Sequence, residues 1–148
     1  MGTQLSSAKR GIFTEEMKQV AKDEDINLEV IKRNVAKGSI IIPKNNARSQ
    51  RIKVVGIGKG LKTKVNVNIG TSTLYQNIEE EISKAKVATK YGADTIMDLS
   101  DGGDLNLIRE NLLYAASSLT FGSVPIYQAY GYGVTKYKNP LNITEDDF

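Results

Sequence analysis

From Lys64 onward the sequence alternates short strands with amphipathic helices, and this rhythm restricts the possible folds more than any other feature. Lys64-Val65-Asn66-Val67-Asn68-Ile69 alternates strictly, with valine and isoleucine on one face and asparagine on the other. Asn77-Ile78-Glu79-Glu80 then offers an N-cap with an acid three residues on. The helix that follows carries Ile78, Ile82, Ala85 and Thr89 at helical spacing. Glu79, Glu80 and Glu81 stand at its positive end, Lys84, Lys86 and Lys90 lie towards its negative end, and Gly92 stops it. Ala93 to Leu99 reads as the next strand. Asp104 caps a helix striped by Leu105, Ile108, Leu112 and Ala115 or Ala116, and Ser123 to Tyr127 reads as a third strand. Strand, helix, strand, helix, strand at about 30-residue spacing implies successive right-handed βαβ units and a parallel sheet.

The first half lacks this rhythm and reads as a lead-in. Thr14 caps a short helix with acids in its first turn, and Asn27 caps a second, Leu28 to Ala36, with Val30 and Val35 roughly on one side. Lys37-Gly38 ends it. Ile40 to Ile42 suggests a short strand that Pro43 stops, and residues 44 to 50 form a polar loop. Arg51 to Ile57 and Lys62 to Ile69 read as two strands joined by a reversal at Gly58-Lys59-Gly60. At the far end, Gly131-Tyr132-Gly133-Val134 and Asn139-Pro140 read as a flexible loop. Thr144 to Phe148 reads as the first turn of a helix that does not continue, so the expectation is a chain cut from something longer.

Composition narrows the chemistry. With no cysteine, the chain can form no disulfide, thiolate zinc site or iron–sulfur cluster; with no histidine, it lacks the usual acid–base residue near neutral pH. Catalysis would have to run on carboxylates, lysines and tyrosines, which argues against a self-sufficient enzyme. Twenty basic residues against 17 acids give a net charge of +3, too small and too dispersed to indicate a nucleic-acid binder. The stretch Lys44, Arg48, Arg51, Lys53 has no aromatic residue between Phe13 and Tyr75 on which bases would stack. No apolar run approaches the roughly 20 residues of a membrane span, and the start lacks a secretory pattern, so the expected location is cytoplasmic with no membrane partner. Asn142-Ile143-Thr144 is a formal sequon without a secretory signal.

In parallel α/β folds ligands gather beyond the carboxyl ends of the strands. Three such ends are expected: Asn68-Ile69-Gly70-Thr71-Ser72, Met97-Asp98-Leu99-Ser100 and Tyr127-Gln128-Ala129-Tyr130. Asn68 is read either as a water-facing strand residue or as a ligand contact. Met97 on its own reads as core filler. Asp98 calls for a lysine or a backbone turn as partner, because an unpaired buried carboxylate is costly. Asp98, Asp101 and Asp104 could hold a hard cation, although Asp104 is better used as a cap. Gly56-Ile57-Gly58-Lys59-Gly60 has the wrong spacing for a phosphate-binding loop and reads as a turn.

Five segments, in order, carry a resemblance. Lys64 to Gly70, Gly92 to Ser100, Val124 to Ala129, Ile78-Glu79-Glu80-Glu81, and Arg10-Gly11-Ile12 followed by Glu16-Met17 are similar to the phosphomethylpyrimidine synthase family. The resemblance implies an α/β fold that is part of a (β/α) barrel. Residues 1–62 would be a helical and hairpin lead-in, and residues 63–148 about three parallel βα steps of an incomplete eight-stranded barrel. It further implies a radical S-adenosylmethionine carbon–carbon lyase of thiamine biosynthesis, converting aminoimidazole ribonucleotide to hydroxymethylpyrimidine phosphate. Asn68, Met97 and Tyr127 would then be substrate-binding positions, which overrides the filler reading of Met97. The family's [4Fe-4S] cluster, S-adenosylmethionine and divalent metal imply cysteines and histidines that this chain lacks. One apparent extra residue separates Met97 from Tyr127 relative to the family. Two function classes follow: an enzyme portion inactive alone, held by the rest of its parent or self-associated, or a stand-alone truncated relative that binds ligand or assembles. A basic RNA-binding module is a third expectation, testable by salt dependence.

Overall fold

The computed structural model describes residues 2–45, 48 and 52–147, which divide into two compact units, Met1–Lys64 and Val65–Phe148. The expectations that rest on Arg51 and Phe148, and on most of the polar loop before Arg51, fall outside the described residues.

The first unit is built on three helices. Helix α1, Gln4–Lys9, has no counterpart in the sequence-based expectations; the Thr3 hydroxyl caps it by accepting the Ser6 N–H. Helix α2, Glu15–Glu24, starts where Thr14 accepts the Met17 N–H, and α3, Leu28–Ala36, where Asn27 accepts the Glu29 N–H. Both caps satisfy amides that a helix start leaves without internal partners. Met17, Val20, Ile31, Val35, Ile40 and Ile42 form the core, with Ile31 rather than Val30 as the partner of Val35 on the buried side of α3.

Strand β1, Ile40–Ile41, pairs antiparallel with β2, Ile57–Gly58, so the expected reversal into Lys62–Ile69 does not occur. Residues 52–56 carry no strand. The reason lies in Gly58, whose φ is 145° and whose Cβ, if present, would lie 2.2 Å from the Ser39 carbonyl oxygen. Glycine there serves close approach to β1 and not a hairpin turn. Glu24 draws the following segment onto α2, accepting the Lys62 N–H at 2.7 Å and pairing with Lys64 at 2.8 Å. Burial opposes ionisation of Glu24, but these lysine contacts outweigh it and hold its carboxyl below the usual range.

The second unit is a three-stranded parallel sheet in the order β3-β4-β5: Asn66–Ile69, Thr95–Asp98 and Thr120–Ser123. The register sets Asn68 opposite Met97 and Met97 opposite Gly122. Helix α4, Ile78–Lys90, is capped by Asn77 and α5, Leu105–Ala115, by Asp104, both as the sequence implies. Ile69, Ala85, Ala88, Ile96, Ile108 and Leu112 form a buried cluster with Val67 and Phe121 against it, so α4 and α5 cover the same face of the sheet.

The third strand ends earlier than expected. Tyr127 belongs to helix α6, Pro125–Tyr137, as do Gly131 to Val134, which were expected in a loop. Proline has no N–H for a strand ladder, while its fixed φ suits the first turn of a helix, and Pro125 takes that position. Gly133 is tolerated inside α6 because Ile143 packs against it; a Cβ there would stand 2.3 Å from the Ile143 Cγ1. Beyond a 3-10 turn at Pro140–Asn142, a second spans Glu145–Asp147. There Asp147 accepts from both the N–H and the hydroxyl of Thr144, so the helical turn expected after Thr144 is a 3-10 turn over Glu145–Asp147. These contacts with Thr144 and an ion pair with Lys136 hold the Asp147 carboxyl down at about 2.

Candidate functional site

Pleating sends alternate residues of a strand to opposite faces. In the second unit Val67, Ile69, Ile96 and Phe121 go to the helix side. Asn66, Asn68, Thr95, Met97, Thr120 and Gly122 therefore share the other face, in two rows fixed by the register. The row nearer the amino ends is Asn66, Thr95, Thr120; the Thr95 hydroxyl donates to Asn66 Oδ1 at 2.7 Å. The Thr120 hydroxyl is buried and has no hydrogen-bond partner among the described residues. The row nearer the carboxyl ends is Asn68, Met97, Gly122.

Asn68 is exposed, and its side-chain oxygen accepts from Asn66 Nδ2 at 2.8 Å, so its own amide N–H groups are not used in this contact. Met97 is half-buried, and its thioether lies where a side chain on residue 122 would stand: a Cβ on Gly122 would be 3.0 Å from Met97 Cε and 3.1 Å from Sδ. Asn68 and Met97 are thus brought together as the register partners expected at neighbouring strand ends.

Tyr127 is not in that row. It occupies the first turn of α6, 39% exposed, with its N–H donating to the Val124 carbonyl. Gln128 fastens this turn to α5, accepting from Arg109 Nη2 at 2.9 Å and donating to Asn106 Oδ1 at 3.3 Å. Since α5 starts just after β4 and α6 just after β5, Tyr127 sits at the carboxyl end of the sheet on a helix.

A polar network behind the carboxyl ends ties the loops together. Glu81, only 2% exposed, accepts the Gly70 N–H at 2.8 Å and pairs with Lys84 at 2.7 Å. Gly70 has φ 146° and runs so close to the next strand that a Cβ would come 2.5 Å from the Ser100 amide nitrogen. Ser100 Oγ accepts the Thr71 N–H and donates to Asp98 at 2.5 Å, while the Ser100 N–H also donates to Asp98. Asp98 therefore answers a turn, not a lysine. Thr71 donates to the Gly102 carbonyl at 2.6 Å. Lys84 is raised above its ordinary range by hydrogen bonds to Glu81 and then Glu80, and Glu80 is lowered chiefly by the Tyr75 hydroxyl.

Sequence reasoning missed this buried role of Glu81, which sits in a run of three acids that all look like first-turn helix residues. The signal available was register: Glu81 stands three residues after Ile78 and one before Ile82, on the flank of the apolar stripe. Gly122 was missed as well, because it lies one residue before the expected strand Ser123 to Tyr127, whereas the observed strand is Thr120–Ser123.

The second unit also has concavities. A groove of about 720 Å³ follows the open edge of β3, between Val67 and Asn68 on one side and Lys84, Val87 and Tyr91 on the other. A second, of about 550 Å³, lies between α6 and the final 3-10 turn, and includes none of Asn68, Met97 and Tyr127.

No metal or cluster fits the described residues. Asp101 accepts the Thr73 N–H, Asp104 caps α5, and Asp98 is engaged by Ser100. Among the described residues no three His, Cys, Asp or Glu side chains are grouped to hold an ion, and the sequence contains no cysteine for an iron–sulfur cluster. Among the described residues no helix is long and apolar enough to cross a membrane.

Residues 3–148 match the Radical SAM ThiC family. The chain is 50% identical over 145 residues to a phosphomethylpyrimidine synthase of Pyrococcus furiosus, covering 98% of this chain and 33% of that protein. It is 46% identical over 145 residues to the Ignicoccus hospitalis protein of the same name, with the same coverage. The Methanoregula boonei phosphomethylpyrimidine synthase is 50% identical over 143 residues, 97% of this chain and 33% of that relative. The chain thus spans about a third of the length of the relatives it matches.

Proposed function

The chain belongs to the Radical SAM ThiC family, and on that premise we propose that it is the amino-terminal portion of a phosphomethylpyrimidine synthase, supplying one wall of the pocket for aminoimidazole ribonucleotide. The observation that carries this reading is the row Asn68, Met97, Gly122: an amide and a polarizable sulfur side by side on the face opposite α4 and α5, at the carboxyl ends of parallel strands. Asn68 offers donors to the polar edge of a small heterocycle, and Met97 offers its sulfur to the ring. Tyr127, from the start of α6, adds a phenol from the side.

Barrel membership is supported by the winding. The strands follow one another in chain order, and both intervening helices cover one face, as in a singly wound barrel with its helices outside. A doubly wound sheet would carry helices on both faces. Three strands close no barrel, so the remaining ones belong to the rest of a relative-length polypeptide, along with the cysteines for the [4Fe-4S] cluster, the S-adenosylmethionine site and the metal ligands. The contribution of this chain is to bind and orient; alone it is inactive.

Calorimetric titration of the chain with aminoimidazole ribonucleotide tests the reading. The expected result is saturable binding that Asn68→Ala weakens about tenfold, the loss of roughly one hydrogen bond to a polar ligand. Binding untouched by that substitution sinks the pocket assignment.

A further inference from the structure

Gly122 is the third member of the carboxyl-end row, and its backbone does not explain it. Its φ is not among the positive values found at seven other glycines, so it has ordinary strand geometry that any residue adopts. Among the described residues no loop or helix backbone is within reach of its missing side chain, and the only atoms within 4 Å of a Cβ built there are Met97 Cε at 3.0 Å and Met97 Sδ at 3.1 Å. A glycine inside a strand weakens it, since it packs nothing and loses more freedom on folding. What the glycine provides is space, and Met97 takes that space.

We propose that Gly122 is a positioning residue of the candidate site: by leaving its place on β5 vacant it lets the Met97 thioether lie flat across the neighbouring strand, and so sets the depth at which a planar heterocycle meets the sulfur. This rests on the reading of the open face as a nucleotide site, and deepens it by one residue that touches no substrate itself. A methyl group at 122 meets only the far end of a flexible, half-buried side chain on the face opposite α4 and α5. Met97 yields by rotating away from the sheet, into the room a ring would occupy, and the fold is left intact. Structure and ligand recognition therefore separate at this position, which is rare for a glycine.

The chain has three methionines, Met1, Met17 and Met97, so a methionine-methyl carbon-13 spectrum of the intact chain reads Met97 directly. Met17, fully buried in the first unit, serves as internal reference. In the unsubstituted chain the Met97 methyl gives a nuclear Overhauser contact to the Gly122 α-protons and shifts on titration with aminoimidazole ribonucleotide. Gly122→Ala is expected to leave thermal unfolding unchanged or slightly raised, to displace the Met97 signal before any ligand is added, and to weaken ribonucleotide binding at least fivefold. In a Met97→Ala background the same glycine substitution changes affinity less than twofold, because the group it acts through is gone.

An unmoved Met97 signal in Gly122→Ala overturns the inference, and so does an equal loss of affinity with and without the Met97 thioether. If the unsubstituted chain fails to bind the ribonucleotide at all, the nucleotide reading of the face falls and takes the ligand role of Gly122 with it. If it binds, and Asn68→Ala weakens it while Gly122→Ala does not, only the role of Gly122 is lost.

Discussion

The two faces of the parallel sheet are made from the same twelve strand residues and have opposite characters. Towards α4 and α5 the strands present Val67, Ile69, Ile96 and Phe121, which close against Ala85, Ala88, Ile108 and Leu112. Towards the other side they present asparagine, threonine and a methionine folded over a glycine. Both faces of a parallel sheet are normally covered. Here one is covered by hydrocarbon that excludes water, and the other carries hydrogen-bonding groups and a thioether. The first face carries the packing of this unit, and the second is the one proposed for recognition.

That contrast breaks most visibly at two adjacent residues. Ile96 is 1% exposed in the helix-side cluster, so Ile96→Ala should cost about 3 kcal/mol, read as a fall in the denaturation midpoint. Met97→Ala, one residue on and facing away, should cost under about 1 kcal/mol. Equal losses at the two positions would mean that the open face is a second core, and the division drawn above would be void.

Glu81 gives a smaller effect and a sharper one. Glu81→Gln keeps the shape but removes the charge that holds the Gly70 N–H and Lys84, and should cost about 1 to 2 kcal/mol. Amide hydrogen exchange should rise first at Gly70 and Thr71, beside the asparagine row, before it rises elsewhere in the sheet. Exchange that quickens uniformly would deny Glu81 any local hold on the rim.

The smallest change is expected at Thr95. Thr95→Val deletes the hydroxyl that donates to Asn66 at 2.7 Å on the solvent side, and stability should move by less than about 0.5 kcal/mol. A larger loss would show the polar ladder to be a structural element in its own right.

How much of this was legible from the sequence depends on whether the signal was local. Thr14, Asn27, Asn77 and Asp104 are caps both by pattern and in the structure, because a cap acts within three residues of itself. The alternation that separates Val67 and Ile69 from Asn66 and Asn68 is equally local, and it holds. Two of the failures needed a distant partner. The chain does turn at Gly58 to Gly60, but the hairpin expected there was misjudged because β2 pairs back to Ile40 and Ile41, and α6 because Gly131 and Gly133 look like loop residues until Ile143 is packed against Gly133. Pro125 was the neglected local clue to a helix start. As for the site, Asn68 and Met97 could be paired from strand pattern and family likeness, whereas Gly122 becomes meaningful only once the register sets it beside Met97.

The order β3-β4-β5 also bears on how the second unit assembles. Each strand pairs with the next strand in the chain, Asn66 with Thr95 and Thr95 with Thr120, so every pairing closes a loop spanned by a single helix. Such short closures keep the entropic penalty of joining the strands modest. On a ribosome, β3, α4 and β4 emerge before β5 does, so the pairing of β3 with β4 can form first and β5 adds to an edge that already exists. The asparagine–methionine pair is then in place before the glycine that accommodates the thioether has emerged.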